Sequence, residues 1–329
     1  MKFSQIRTHK TASLLICAIL FLLLSVGMGI LVGAAELSLS EVFSALWDHD
    51  RTTAAGRILW YVRIPRVCTA AVCGAALAVS GAVIQGVLSN HLASPGMIGI
   101  NAGAALAVTI CAACGILGGW QLSLFAFLGA FGTSIVVSTA AKHLGASDGV
   151  VILLGACTDT VTSLYPDVSI MNSQFRAGDF SAATTAKLLP AAAIVLPTLC
   201  LLFLLSNALD VLTLGEDHAR SLGMHTGKTR LLFLMLSALL AGTAVSAAGL
   251  LSFVGLLVPH AVRRLAGGDA AHLLPFCALF GGAFTVLCDT AARTLFAPYE
   301  LPVGILLAFL GAPFFLFLLF RRRRTGGTV

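Results

Sequence analysis

Val67-Cys-Thr-Ala-Ala-Val-Cys-Gly-Ala-Ala-Leu-Ala-Val-Ser-Gly-Ala-Val-Ile-Gln-Gly-Val-Leu88 opens a run that reaches Ala141 without one Asp, Glu, Lys or Arg. A helix crosses the hydrocarbon core with about 20 apolar residues, so this run is several spans long. Ser89-Asn90-His91-Leu92-Ala93-Ser94-Pro95-Gly96 and Gly118-Gly119-Trp120-Gln121 break it, leaving three spans near 67–88, 97–117 and 121–141. The whole 329-residue chain is 58% hydrophobic and 10% charged, with a mean hydropathy of +0.97. A soluble domain carries about 25% charged residues, so soluble-enzyme, disordered and nucleic-acid-binding classes are excluded. What remains is an all-α, polytopic membrane protein.

The rest of the chain divides by the same rule. Uncharged runs and breakers predict ten spans in one domain: 13–35, 67–88, 97–117, 121–141, 150–166, 186–207, 230–252, 254–265, 272–295 and 303–320. The first is too long for a signal peptide and has no clear cleavage site, so it reads as a retained span. Basic residues favour the cytoplasmic side. Lys2, Arg7, Lys10 and Arg321 to Arg324 put both termini there. Lys142, Arg220, Lys228, Arg230, Arg263 and Arg264 then also fall inside.

One loop breaks the charge rule. Residues 36–66 fall outside yet carry Arg51, Arg57, Arg63 and Arg66. Either other loops dominate the topology, or these arginines receive an acidic outer partner. In the same loop Leu37, Leu39, Val42, Phe43, Leu46 and Trp47 fit a short interfacial helix. Small residues recur at close spacing, as in Gly74 to Ala78 and Gly99 to Gly103, and predict tight helix crossings.

Several segments invite chemistry. Thr213 and Glu216 have capping-box spacing, and Gly223 stands where a left-handed C-cap belongs. The segment 213–226 therefore reads as a short cytoplasmic helix, either a connector or a partner contact. Gly227-Lys228-Thr229 resembles the end of a phosphate loop, but Leu222 stands where that loop needs glycine and no strand precedes it. If transport is ATP-driven, the ATPase is therefore another polypeptide. Asp289 and Arg293, four apart, can pair within the ninth span. Asp159, with Thr162 in a polar fifth span, reads as a site residue or a water-facing acid. His260 reads as part of a basic helix end with Arg263 and Arg264. The nine cysteines lie almost all in apolar runs and read as packing, Cys111-Ala-Ala-Cys114 included. No metal site and no bound cofactor are expected.

Together these segments resemble the FecCD-type permeases, the membrane subunits of ABC importers for iron–siderophores, haem and cobalamin. The matching segments are Arg63-Ile-Pro-Arg66, Gly74 to Gly86, Asn90 to Gly96, Gly99 to Gly103, Leu214-Gly215-Glu216 with Ala219-Arg220-Ser-Leu222-Gly223, Phe253 to His260, Asp289 to Arg293, Glu300 to Gly304 and Gly311 to Phe315. They keep the family's order from first span to last.

The resemblance implies a type II importer bundle of ten helices, similar to the cobalamin permease, in a bacterial cell membrane. It implies a second permease copy or homologue, two cytoplasmic ATPases holding ATP and magnesium, and an extracytoplasmic binding protein. Residues 214–223 then look like the ATPase-coupling segment, and Arg63, Arg66 and Arg293 like the docking arginines. The departures are His91 for Pro and Ser94 for an acid in the 90–96 loop, and a fifth span about a dozen residues short. The rival class is an ion-coupled secondary transporter, which would need mid-membrane acids and inverted repeats; only Asp159 qualifies. An intramembrane enzyme would need paired acids, His-Glu-x-x-His or Gly-x-Ser-x-Gly, and none is present.

Overall fold

The computed structural model describes residues 2–33, 35, 37–47, 49, 51–116, 118–144 and 147–324, with side chains over 12–139, 149–318 and 320. The side chains of Lys2, Arg7, Lys10, Lys142 and Arg321 to Arg324, on which the topology reading leans, lie outside these. No strand occurs among the described residues.

A long helix α1 (Lys2–Leu31) is followed by two short ones, α2 (Leu39–Trp47) and α3 (Ala54–Ile58). A π turn at Leu59–Arg63 carries α3 into α4 (Ile64–Val87). Then come α5 (Ile100–Ala113), α6 (Gly119–Leu144), α7 (Ser147–Leu164), α8 (Pro166–Ala177) and α9 (Thr185–Leu204). The last six are α10 (Ser206–Thr213), α11 (Glu216–Ser221), α12 (Thr226–Ala248), α13 (Val254–Ala266), α14 (Ala270–Thr294) and α15 (Val303–Arg324).

A helix stands at each of the ten expected spans. Six are long and apolar enough to cross a membrane alone: Ala12–Leu31, Ala54–Val87, Gly119–Thr139, Thr185–Leu204, Thr226–Ala248 and Ala270–Thr294. Ile100–Ala113, Gly149–Leu164 and Val303–Leu318 are apolar but shorter. α13 has 13 residues, which at 1.5 Å each covers about 20 Å, short of the hydrocarbon core. The non-helical stretch 249–253 precedes it. Such backbone is tolerated at membrane depth only when enclosed by protein. Here Leu250 N–H donates to Phe175 O at 3.0 Å, and Asp179 N–H to Ala248 O at 2.8 Å.

α4 is the buried axis, packed by α14, α12, α13 and α9. Lipid is as apolar as a leucine side chain, so helices in a membrane associate through close van der Waals contact rather than hydrophobic exclusion. That explains the glycines. At Gly81 a Cβ would stand 2.5 Å from Gly255 Cα of α13, and at Gly74 one would stand 2.7 Å from Thr285 Cβ of α14. Gly103 and Gly129 make the same crossing between α5 and α6.

The interfacial helix expected at 37–47 is α2. Val42 and Ala45 bury against Leu59, with Ile30 and Leu31 alongside, while Leu39, Phe43 and Trp47 face outward. Its start is a capping box: Glu41 N–H donates to Ser38 Oγ, and Ser38 N–H to Glu41 Oε2 at 2.8 Å. Bonds from Ser38 hold the Glu41 carboxyl below the usual range.

Thr213 and Glu216, which have the same spacing, form no box. Thr213 ends α10, its hydroxyl donating to Asp210 O at 2.7 Å, and the residue before α11 is Gly215 at φ +103°. A spacing of three cannot cap a helix when its first member closes the helix before.

Candidate functional site

Two ends of the bundle and one groove carry the expected site residues. At the first end, the C-termini of α1 and α14 meet the N-terminus of α4. Arg63 donates to the carbonyls of Ile30 and Leu31, both at 2.8 Å, and of Ala35 at 2.5 Å. A helix ends with four carbonyls unpaired and a partial negative charge, and Arg63 satisfies both. Arg66 forks onto Asp289, Nε at 3.1 Å and Nη2 at 2.9 Å, while its Nη1 reaches Glu300 at 2.7 Å and its Nη2 lies 3.7 Å from Asp179. Arg293 donates to Gly29 O at 2.6 Å, with its Nε 3.6 Å from Asp289.

Two guanidiniums, Arg66 and Arg293, thus meet the carboxylates of Asp289, Asp179 and Glu300, while Arg63 beside them is held by backbone carbonyls alone. The docking expectation needs Arg63, Arg66 and Arg293 at the surface, but they are 3%, 4% and 3% exposed. The physical reason is Asp289. At 1% exposure it costs several kcal/mol unless cations surround it, so they turn inward. The expected Asp289–Arg293 pair is present, shared with Arg66. Asp179 and Glu300, about one-third exposed, complete the knot and fasten the loops after α8 and α14 to α4. Sequence spacing gave no signal for Asp179, which lies far from Arg66 in the chain.

At the opposite end, α10 and α11 stand beside the first turns of α12 and α14. Asp210 Oδ1 accepts from Ala270 N–H at 2.8 Å, capping α14 from another helix. α11 closes with a Schellman motif: Met224 N–H to Ala219 O at 3.0 Å, Gly223 N–H to Arg220 O at 2.9 Å, and Gly223 at φ +81°. The glycine expected at that cap is therefore required by geometry. Arg220 pairs with Glu216 at 2.5 Å, and Glu216 accepts from Thr226 Oγ1 at 3.3 Å, so α11 is tied to the first residue of α12. Ala219 is fully buried, while Leu214 and Leu222 on either side are 61% and 66% exposed. A short, locked helix thus stands between two exposed leucines.

The same end holds a second polar knot. Gln85 donates to Ala93 O at 3.2 Å and Gly255 O at 3.1 Å and accepts from Arg263. Arg230 donates to Val87 O at 3.2 Å. α4, α12, α13 and the 88–94 loop are held together by these side chains.

The groove lies along α7 and α8, where the sequence shows a fifth span ending at Pro166. Proline cannot give its carbonyl partner an N–H, but it fits the first turn of a new helix. The chain therefore restarts as α8, a helix that spacing did not reveal. Asp159 and Thr162 of α7 face Ser169, Asn172, Ser173 and Arg176 of α8 across an open groove of about 470 Å³. Asp159 is exposed. Thr162 spends its hydroxyl on the carbonyls of Thr158 and Asp159. Asn172 is 7% exposed, and its Oδ1 lacks a partner.

Comparison with known proteins agrees with this anatomy. The model of the FecCD transport family matches residues 17–321. The hemin transport system permease protein HmuU of Yersinia pestis is 38% identical over 307 residues, covering 89% of this chain and 92% of that one. The iron(3+)-hydroxamate import system permease protein FhuB of Bacillus subtilis is 35% identical over 330 residues, covering 97% and 85%. A solved metal-chelate type ABC transporter in an inward-facing conformation superposes with a TM-score of 0.82 at 29% identity, over 94% of this chain and 99% of that one. The chain therefore belongs to the FecCD transport family, as a multi-pass permease subunit of an ABC importer.

Proposed function

We propose that this chain pairs with a second permease copy or a homologue and moves an iron–siderophore-type chelate inward across a bacterial cell membrane. Two cytoplasmic ATPases, which hold ATP and magnesium, drive the cycle, and an extracytoplasmic binding protein delivers the chelate. Both termini face the cytoplasm. The observation that carries this reading is α11. Its exposed Leu214 and Leu222 suit a cleft on an ATPase, and its ties through Thr226 to α12 and its neighbour Asp210 to α14 give that contact two levers into the bundle. When ATP closes the ATPases, the levers tilt α12 and α14 against α4, and the path beside α7 and α8 opens to the other side.

Since the docking arginines named above are buried, they hold the outer rim in shape. The exposed Arg51, lying over the Trp60 ring, and Arg57 offer the cations to an acidic partner. Haem is the second substrate reading, on the 38% identity to the hemin permease; cobalamin is the third.

Replacing Glu216 and Arg220 together with alanine tests the coupling. An exposed pair contributes little to stability, so the protein should insert and fold as before. Chelate uptake and the ATPase activity evoked by the binding protein should fall about tenfold or more, the scale of a coupling free energy. Unchanged uptake and ATPase activity would remove α11 from the mechanism.

A further inference from the structure

α6 and α9 both pack along α12. Between them, at the end of the bundle that carries the Arg66 knot, lies a cleft of about 280 Å³. Its floor and walls are apolar: Phe127 from α6, Pro190 and Ile194 from α9, Ala247 from α12. The hydroxyls that border it are consumed locally, Thr243 on Leu239 O at 2.7 Å and Ser246 on Thr243 O at 2.8 Å. At the mouth stand two residues of another kind. Trp120, second residue of α6, is 71% exposed, and Lys187, third residue of α9, is half-buried with no ion pair among the described residues.

We propose that this cleft binds an anionic phospholipid of the outer leaflet, with one acyl chain between α6 and α9 and its phosphate on the Lys187 ammonium. This rests on the membrane orientation given under Proposed function. Three observations point to that occupant. The cleft is walled by three helices long and apolar enough to cross a membrane, α6, α9 and α12, so the medium around it is lipid. Its size falls just under the roughly 300–1,000 Å³ of drug-sized pockets and suits a single chain. Its one cation sits at the mouth, where Trp120 marks the interface that tryptophans favour. A lysine stem lies along apolar surface while its ammonium seeks charge, and the complementary charge at that depth is a lipid phosphate. None of the expected site residues lines the cleft. Occupancy would brace α12, the helix that α11 moves.

The test uses Trp120 itself. The full chain carries three tryptophans. With Trp47→Phe and Trp60→Phe, Trp120 is the sole emitter. The protein is reconstituted in phosphatidylcholine vesicles containing brominated phosphatidylglycerol or brominated phosphatidylcholine, and quenching is titrated. The expected result is about a fivefold preference for phosphatidylglycerol, the scale of one lysine near an anionic surface. Lys187→Gln should remove the preference and Lys187→Arg keep it. Ala191→Phe, which narrows the cleft, should reduce quenching by both lipids. Glycerol 3-phosphate, a headgroup without chains, should not compete. Equal quenching by both lipids, a preference that survives Lys187→Gln, or displacement by glycerol 3-phosphate would each overturn the proposal. Failed uptake by the Glu216/Arg220 variant bears on coupling alone and leaves this result untouched.

Discussion

Arg66→Ala should destabilise the permease by about 3–5 kcal/mol, the usual cost of stranding a buried partner charge. The side chains involved are 5% exposed for Arg66 and 1% for Asp289, so solvent screening gives little relief. Losing Arg66 also frees Glu300 and Asp179, and with them the loops after α14 and α8. The measurement is the thermal unfolding midpoint in detergent, with folded yield as a second readout. The triple variant Arg66→Met, Asp289→Leu and Arg293→Met, which also removes the second arginine that shares Asp289, should recover much of the loss, because replacing a buried ion triad whole by apolar groups is often nearly neutral. This separates a structural knot from a docking surface. A rim arginine would leave the midpoint unchanged and slow only the capture of the binding protein, most at low salt.

Gly81→Ala should be as damaging as any single methyl in this chain. The new Cβ would sit 2.5 Å from Gly255 Cα, against backbone that cannot rotate away as a side chain does. Overpacking costs about 1–3 kcal/mol where side chains can adjust, and more where they cannot. The same substitution at Gly132 or Gly155, where nothing lies within 4 Å, should be neutral or add up to about 1 kcal/mol through helix propensity. Folded yield of the three variants in parallel checks this. Equal yields would mean that α4 and α13 approach less closely than described here.

Residue by residue, legibility followed physics. Hydropathy marked where helices run, because a lipid-crossing helix must be apolar for about 20 residues regardless of its neighbours. Gly223 was readable as a C-cap because a positive φ excludes most other residues. The Ser38–Glu41 box and the Thr213–Glu216 spacing look alike in sequence. What separated them was where the previous helix ended, which spacing does not encode. α8 stayed hidden because it is short and polar, with Pro166 reading as an end when it is also a beginning.

The site split in the same way. The 214–223 segment lies within one stretch of chain and could be recognised there. The Arg66 knot draws Asp179, Asp289 and Glu300 from distant loops and helices, so its inward turn appears only once α4 and α14 are packed. The excess positive charge of the 36–66 loop was a real signal. Part of it balances buried acids that the count of loop charges leaves out.

The central claim is ATP-driven import of a metal chelate by a pair of these bundles. It is tested most directly in proteoliposomes holding the permease with its ATPase, supplied outside with the binding protein and iron-55 as a ferric hydroxamate, ferric citrate or haem. The account predicts accumulation of at least one chelate that requires enclosed ATP and the binding protein together and is lost with Glu216→Ala/Arg220→Ala. Accumulation driven by a proton or sodium gradient in the absence of ATP would contradict it.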